Sequence, residues 1–263
     1  MSVIVENLSF AYDSRPVLDS VSFVAERGHF LSVLGANGVG KSTLFRCILG
    51  LLKGYRGSIW VEDQDVRHLS PREMAKRIAY IPQSHDPSFN YTVFDMVLMG
   101  TTGQVAAVSS PGKKQMALAE QAIERLGITA LHNRGFNQIS GGERQLTMIA
   151  RALAQNAHVL ILDEPTANLD FGNQIKVLSR IRSLAEEGYT VIQATHNPDQ
   201  TFLFSDRILA LKDGRVLASG SPSEIVSTDL MQTLYGVDIA VQSLYDDTVR
   251  VCIPKAAIQR PVR

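Results

Sequence analysis

Residues 30–42 read Phe30-Leu31-Ser32-Val33-Leu34-Gly35-Ala36-Asn37-Gly38-Val39-Gly40-Lys41-Ser42. Phe30 to Leu34 has the character of a buried strand. It runs straight into a glycine-rich turn that fits G-x-x-x-x-G-K-[ST] at every fixed position. The glycines let the backbone turn tightly, so that successive N–H groups point inward as a nest for an anion. From Lys41 onward the apolar residues take helical spacing. Leu44, Ile48 and Leu51 share one face with Phe45 and Leu49 beside it, and Gly50 supplies a helix end. The helix N-terminus adds partial positive charge to the nest. Lys41 can then reach the β- and γ-phosphates of a nucleotide, and Ser42 offers an oxygen to Mg²⁺. A glycine-rich turn that binds nothing is the alternative, and the flanking strand and helix speak against it.

Outward from this unit, strands and helices alternate. Val3, Val5 and Leu8, then Val21, Phe23 and Val24, suggest short antiparallel strands around a turn at Asp13-Ser14-Arg15-Pro16. Ile78-Ala79-Tyr80-Ile81 reads as a short strand ended by Pro82. Residues 92–154 are mostly helical in pattern, broken at Ser109-Ser110-Pro111-Gly112. Val159 to Leu162 is a continuous apolar run that suits a buried parallel strand. A helix over 174–185, a strand over 190–194 and a hairpin turning at Asp213-Gly214 follow. The tail from Asp229 is weakly patterned; Arg250 to Pro254 could add a strand or assist contacts between copies. Such alternation implies an α/β fold with a mostly parallel sheet and an inserted helical block.

Composition bounds the function. The 263 residues suit one or two domains at about 150 residues each. With 45% hydrophobic and 20% charged residues, the chain has the make-up of a globular protein. Lys plus Arg and Asp plus Glu both number 26. Zero net charge argues against a dedicated nucleic-acid binder and against a polybasic lipid-surface protein. Two cysteines, Cys47 and Cys252, are too few for a disulfide scaffold and form no metal-type pair. Residues 1–10 lack the features of a signal peptide, and no apolar run reaches membrane-spanning length. The expectation is a cytosolic chain that acts at a membrane only through partners.

Two further clusters carry chemistry. The run Val159 to Leu162 ends in Asp163-Glu164. An acid at the end of a buried strand is costly unless neutralised, and Mg²⁺ would do this, as in the Walker B arrangement of P-loop NTPases. Glu164 projects in a different direction and can orient or deprotonate an attacking water. The alternative is a surface pair capping the next turn. Ile139-Ser140-Gly141-Gly142-Glu143 precedes a helix, and its glycines expose N–H groups to an anion. Taken alone, it also reads as a capping box, Ser140 with Glu143 three residues on.

Together these residues resemble the ATP-binding cassette (ABC) ATPases over residues 3 to about 225, with seven elements in the family's order. Ile139 to Glu143 is similar to the LSGGQ signature, with Ile first and Glu fifth. The resemblance implies a RecA-like P-loop NTPase core, an N-terminal antiparallel β-subdomain and an inserted all-helical subdomain. It implies one domain: core about 1–86 and 158–228, helical part about 87–157, extension about 229–263. ATP would be held by Gly35, Ala36, Asn37, Gly38, Val39, Gly40, Lys41, Ser42 and Thr43, with Tyr12 stacking on adenine. Mg²⁺ would be held by Ser42, Gln83 and Asp163, with Gln83 also linking to the transmembrane partner. Glu164, His196 and Lys41 would be catalytic, with His196 sensing the γ-phosphate. Asn168-Leu169-Asp170 resembles the D-loop. Simpler roles stay open: Tyr12 packing on its sheet, Gln83 in a turn, His196 as a helix cap and Asp170 as a loop aspartate.

In this family two copies meet head to tail, so Ser140, Gly141, Gly142 and Glu143 of one copy would close over ATP in the other. The implied partners are a second copy, transmembrane permease subunits and, indirectly, a substrate-binding protein, with no nucleic acid. The implied place is the cytoplasmic face of the cell membrane. Residues 88–100 and Gly220 to Ile225 resemble the subgroup that imports iron-siderophores, haem, cobalamin and some oxyanions. A non-transport ABC ATPase, an exporter ATPase and a small-molecule kinase are the alternatives; the kinase would need neither Ser140-Gly141-Gly142 nor His196.

Overall fold

The computed structural model describes residues 2–83, 89–104 and 111–258. Ser88, at the head of the stretch compared with the importer subgroup, and Ser109-Ser110 of the expected helix break lie outside them. Strands β1 (Val3–Tyr12) and β2 (Arg15–Ala25) pair antiparallel around a tight turn at Asp13-Ser14. β3 (Phe30–Leu34) leads through the glycine-rich loop into α1 (Lys41–Ile48). β4 (Arg56–Val61) and the short β5 (Gln64–Asp65) complete a four-stranded antiparallel sheet in the order β2-β1-β4-β5. After α2 (Pro71–Ala75) and β6 (Ile78–Ile81) come α3 (Val93–Leu98), α4 (Lys113–Arg125) and α5 (Gly141–Ala154). β7 (Val159–Asp163), α6 (Phe171–Glu186), β8 (Thr190–Thr195), α7 (Pro198–Phe204), β9 (Arg207–Lys212) and β10 (Arg215–Gly220) follow. The chain continues with α8 (Pro222–Ile225), α9 (Thr228–Tyr235), a hairpin of β11 (Ile239–Leu244) and β12 (Val249–Pro254), and α10 (Lys255–Ile258).

The larger sheet has six strands in the order β10-β9-β3-β8-β7-β6. Its neighbours pair parallel except β10, which folds back on β9 through Asp213-Gly214, both at positive φ. This is the α/β architecture expected: a mostly parallel sheet, an antiparallel sheet at the start and helices between β6 and β7.

Both faces of the parallel sheet are covered, so its strands are apolar at nearly every position, and successive side chains feed opposite cores. Val159 and Ile161 join Val3, Val5, Leu44 and Ile48 on the side of the small sheet and α1. Leu160 and Leu162 join Met96, Ile123, Ile149 and Ile181 on the helical side. The parallel strands thereby bring β3, β7 and β8 to finish side by side, at the edge where Gly35, Glu164 and His196 follow.

Two local readings change. Leu51 is 66% exposed, not on the buried face of α1. Gly50 takes φ +67°, ends the helix and turns the chain away before Leu51 can pack. Helix α6 begins at Phe171 rather than 174, because the Asp170 carboxylate accepts from the Asn173 N–H and caps it. The weakly patterned tail folds into α9 and the β11–β12 hairpin. Its strands are largely half-buried or exposed, which explains the faint alternation.

Truncating a fully buried strand residue should cost far more than truncating Leu51. Ile161→Ala is expected to destabilise the protein by about 2–5 kcal/mol, and Leu51→Ala by no more than about 0.5 kcal/mol, both read by urea unfolding.

Candidate functional site

The loop after β3 is shaped by close backbone approach. A Cβ on Gly35 would lie 2.4 Å from the Leu211 carbonyl oxygen of β9. Gly38 and Gly40 take φ +83° and +109°, and Gly40 stands at the N-cap of α1. Lys41 opens the helix and is 5% exposed. Its Nζ donates to the carbonyls of Gly35 (2.7 Å) and Ala36 (3.0 Å) and lies 3.5 Å from Glu164 Oε1. Burial pulls the Lys41 pKa below the usual lysine range, and the charges of Glu164 and Asp163 oppose that pull. A cavity of ≈ 270 Å³ opens over the loop. Asn37, Gly38, Gly40, Lys41, Ser42 and Thr43 form its floor, and Val17, Gln83 and Glu164 its walls.

The two acids behave differently. Asp163 is the last residue of β7 and is 7% exposed. The Tyr80 hydroxyl donates to its Oδ2 at 3.4 Å. Burial, then the Asp163 charge, pushes the Tyr80 phenol up to about 12, so it stays a donor. Glu164 leaves the strand with φ +49°, in the left-handed region a non-glycine residue rarely adopts. The turn is held by its own N–H donating to the Ala194 carbonyl at 3.2 Å. Its carboxylate then collects three partners: Lys41, His196 Nδ1 at 3.2 Å and the Gln83 Nε2 donor at 3.4 Å. Gln83 and His196 arrive from the ends of β6 and β8 on either side of β7, and Lys41 from the loop after β3, so four adjacent strand ends supply this one contact set.

Other expected residues stay apart from the cavity. Ser140 and Glu143 form the capping box of α5: Ser140 Oγ accepts from the Glu143 N–H (3.3 Å), and Glu143 Oε2 accepts from the Ser140 N–H (2.7 Å). Those bonds to Ser140 hold the Glu143 carboxyl below its usual range. Gly142 packs so closely on Asn173 that a Cβ would come within 2.7 Å of its amide. Asp170 is bound to the Asn173 backbone and side chain. Tyr12 is 40% exposed, sets its ring edge-on to Phe10 at 4.9 Å and is not one of the residues that line the cavity. Ala36 and Val39 belong to the loop itself, Ala36 through its carbonyl on Lys41 and Val39 by packing on the core.

Tyr80 and Val17 are site neighbours that sequence reasoning missed. Strand order is absent from the sequence, so nothing marked Tyr80 as adjacent to Asp163. A second, polar cavity of ≈ 320 Å³ lies beyond Glu164 and His196. There Thr166, Gln200 and Gln174 are linked in a chain of hydrogen bonds that ends on the Leu169 carbonyl.

A glycine-rich loop at a helix start, a buried ammonium and a buried carboxylate form a site suited to a polyphosphate. The family model described as ABC transporter matches residues 18–167. The chain belongs to the ABC transporter family. An uncharacterised ABC transporter ATP-binding protein of Haemophilus influenzae is 38% identical over 230 residues, 88% of each chain. The ferric enterobactin transport ATP-binding protein of Escherichia coli is 32% identical over 233 residues, covering 88% of this chain and 86% of that one. Among solved structures, a chain of an inward-facing ABC transporter assigned to the metal-chelate type is 32% identical, with a TM-score of 0.86 and 96% of each chain covered. This ABC ATPase therefore binds and hydrolyses ATP, and the loop over α1 has the form that task requires. Among its described residues no helix is long and apolar enough to cross a membrane.

The Gly35 contact makes the loop sensitive to one methyl group. Gly35→Ala is expected to raise the dissociation constant of a fluorescent ATP analogue by about tenfold or more, while circular dichroism stays that of the parent.

Proposed function

We propose that this chain is the ATPase subunit of an importer for an iron-siderophore, haem, cobalamin or another metal chelate or oxyanion. The observation that carries the catalytic part is the convergence of Lys41, Gln83 and His196 on the Glu164 carboxylate, beside the phosphate loop. The cargo class is supported by the enterobactin relative and the metal-chelate type structure.

In this reading the loop N–H groups and Lys41 bind the β- and γ-phosphates. Ser42 and Asp163 present hard oxygens, a donor set that fits Mg²⁺, which takes few protein oxygens and completes its shell with phosphate and water. Those two residues, with Gln83, would hold the ion, whose chemistry is to neutralise charge on the phosphates. Glu164 orients the attacking water and accepts its proton, a contribution of about 10²–10⁴ in rate. His196, 3.2 Å from Glu164, fixes that carboxylate and senses the γ-phosphate. Lys41 and the loop dipoles stabilise charge on the transferring group. Tyr12 stacks on adenine.

Ser140, Gly141, Gly142 and Glu143 lie outside the cavity of their own chain. This supports a head-to-tail homodimer in which they close over ATP bound to the partner, with Asp170 at the junction. A permease would dock near Gln83, a substrate-binding protein would deliver cargo to it, and the ATPase would sit peripherally at the cytoplasmic face. The division into core (about 1–86 and 158–228), helical part (about 87–157) and extension (about 229–263) belongs to the same proposal.

Glu164→Gln keeps size and polarity but removes the base. ATP binding is expected to persist while turnover falls by about 10² or more, measured by phosphate release. Retention of more than half the parent rate would overturn the assignment.

A further inference from the structure

The segment after α8 ends up behind the His196 loop. Tyr235 is the last residue of α9, and its hydroxyl donates to the backbone carbonyl of His196 at 2.8 Å. Burial, then Cys252 and Asp199, pushes the phenol pKa upward, so the hydroxyl remains a donor. The hairpin grips the helix that starts from this loop. The Cys252 N–H donates to Asp199 Oδ1 at 2.9 Å, and Asp199 lies in the first turn of α7. Arg250 donates to the Val226 carbonyl at 2.7 Å and sets its guanidinium 5.7 Å over the ring of Phe202, also on α7. Met231 and Leu234 of α9 pack with Leu34, Ile208 and Ala210, under the end of β3 that enters the phosphate loop.

His196 needs such support. Its side chain is 53% exposed and meets Glu164 only at its Nδ1 edge, so its place is set by its backbone. On the far side of the residue, the Asn197 N–H donates to Thr195 Oγ1 at 3.1 Å. Tyr235 takes the His196 carbonyl itself. We propose that Tyr235 is a positioning residue for His196, and that the segment from Thr228 braces the loop from behind. The idea rests on the reading of His196 as the γ-phosphate sensor. A segment that only covered apolar surface would need no hydroxyl aimed at this carbonyl.

The test uses the full chain. Tyr235→Phe keeps the ring and removes the hydroxyl. It is expected to lower kcat about three- to tenfold with ATP affinity within about twofold, the pattern of a lost orienting contact. With ¹⁵N-labelled histidine, the His196 signal, assigned among the six histidines by His196→Ala, should shift. In the His196→Ala background the same change should have no further effect on turnover, since both act through one group. Asp199→Ala, which removes the hydrogen bond from the hairpin's Cys252 N–H to α7, is the second variant and should move the same signal. A His196 signal unmoved in both variants overturns the proposal, and so does an equal kcat loss with and without His196. Failure of the sensor reading looks different: His196→Ala alone would then retain most of its turnover, while the labelled signal would still report whether Tyr235 places the ring.

Discussion

Lys41 cannot be buried without company. A desolvated ammonium at the first turn of a helix is costly, and it also faces the positive end of that helix. Two loop carbonyls and the Glu164 carboxylate meet it. That requirement ties the phosphate loop to residue 164, far away along the chain. The loop must fold back so that Gly35 and Ala36 present their carbonyls. Residue 164 must turn its side chain toward the loop, which it does at positive φ. β3 and β7 must finish at the same edge, which the parallel order around β8 provides.

The Glu164 carboxylate is the counterpart of this arrangement. It touches a cation, an imidazole and an amide, so displacing any one of them alters what the carboxylate can do. In the proposed hydrolysis, phosphate must enter the same space and compete for Lys41. Nucleotide binding would then rearrange contacts already present rather than fill an indifferent hole, which is how a ligand shifts a conformational equilibrium. Around this centre the supports differ in kind. Asp163 leans on a tyrosine from the next strand, and the His196 carbonyl is held by a tyrosine from the C-terminal segment.

Much of the site was legible because its chemistry needs fixed spacings. Gly35 to Ser42 had to be contiguous, since one turn must point several N–H groups at one anion. Asp163 and Glu164 stood out because acids rarely end an apolar run. Ser140 to Glu143 was legible as two things at once, a signature and a helix cap, and within one chain the cap is what the hydrogen bonds realise. Leu51 was misplaced because periodicity continued through a glycine that ends the helix. The tail was opaque because its strands bury only part of their surface, which leaves little alternation to read.

Local pattern therefore determined the α/β class, the phosphate loop, the acids and the bounds of the central strands β3, β6, β7 and β8, because these depend on neighbours within a few residues. Strand order, the meeting of Gln83, Glu164 and His196, the separation of Tyr12 and Ser140 from the cavity, and the hold of Tyr235 on the His196 backbone were decided only in three dimensions. The reason is that each joins residues whose distance along the chain says nothing about their distance in space. Parallel strands need long crossovers, and it is the packing of both sheet faces that selects which strand ends become neighbours.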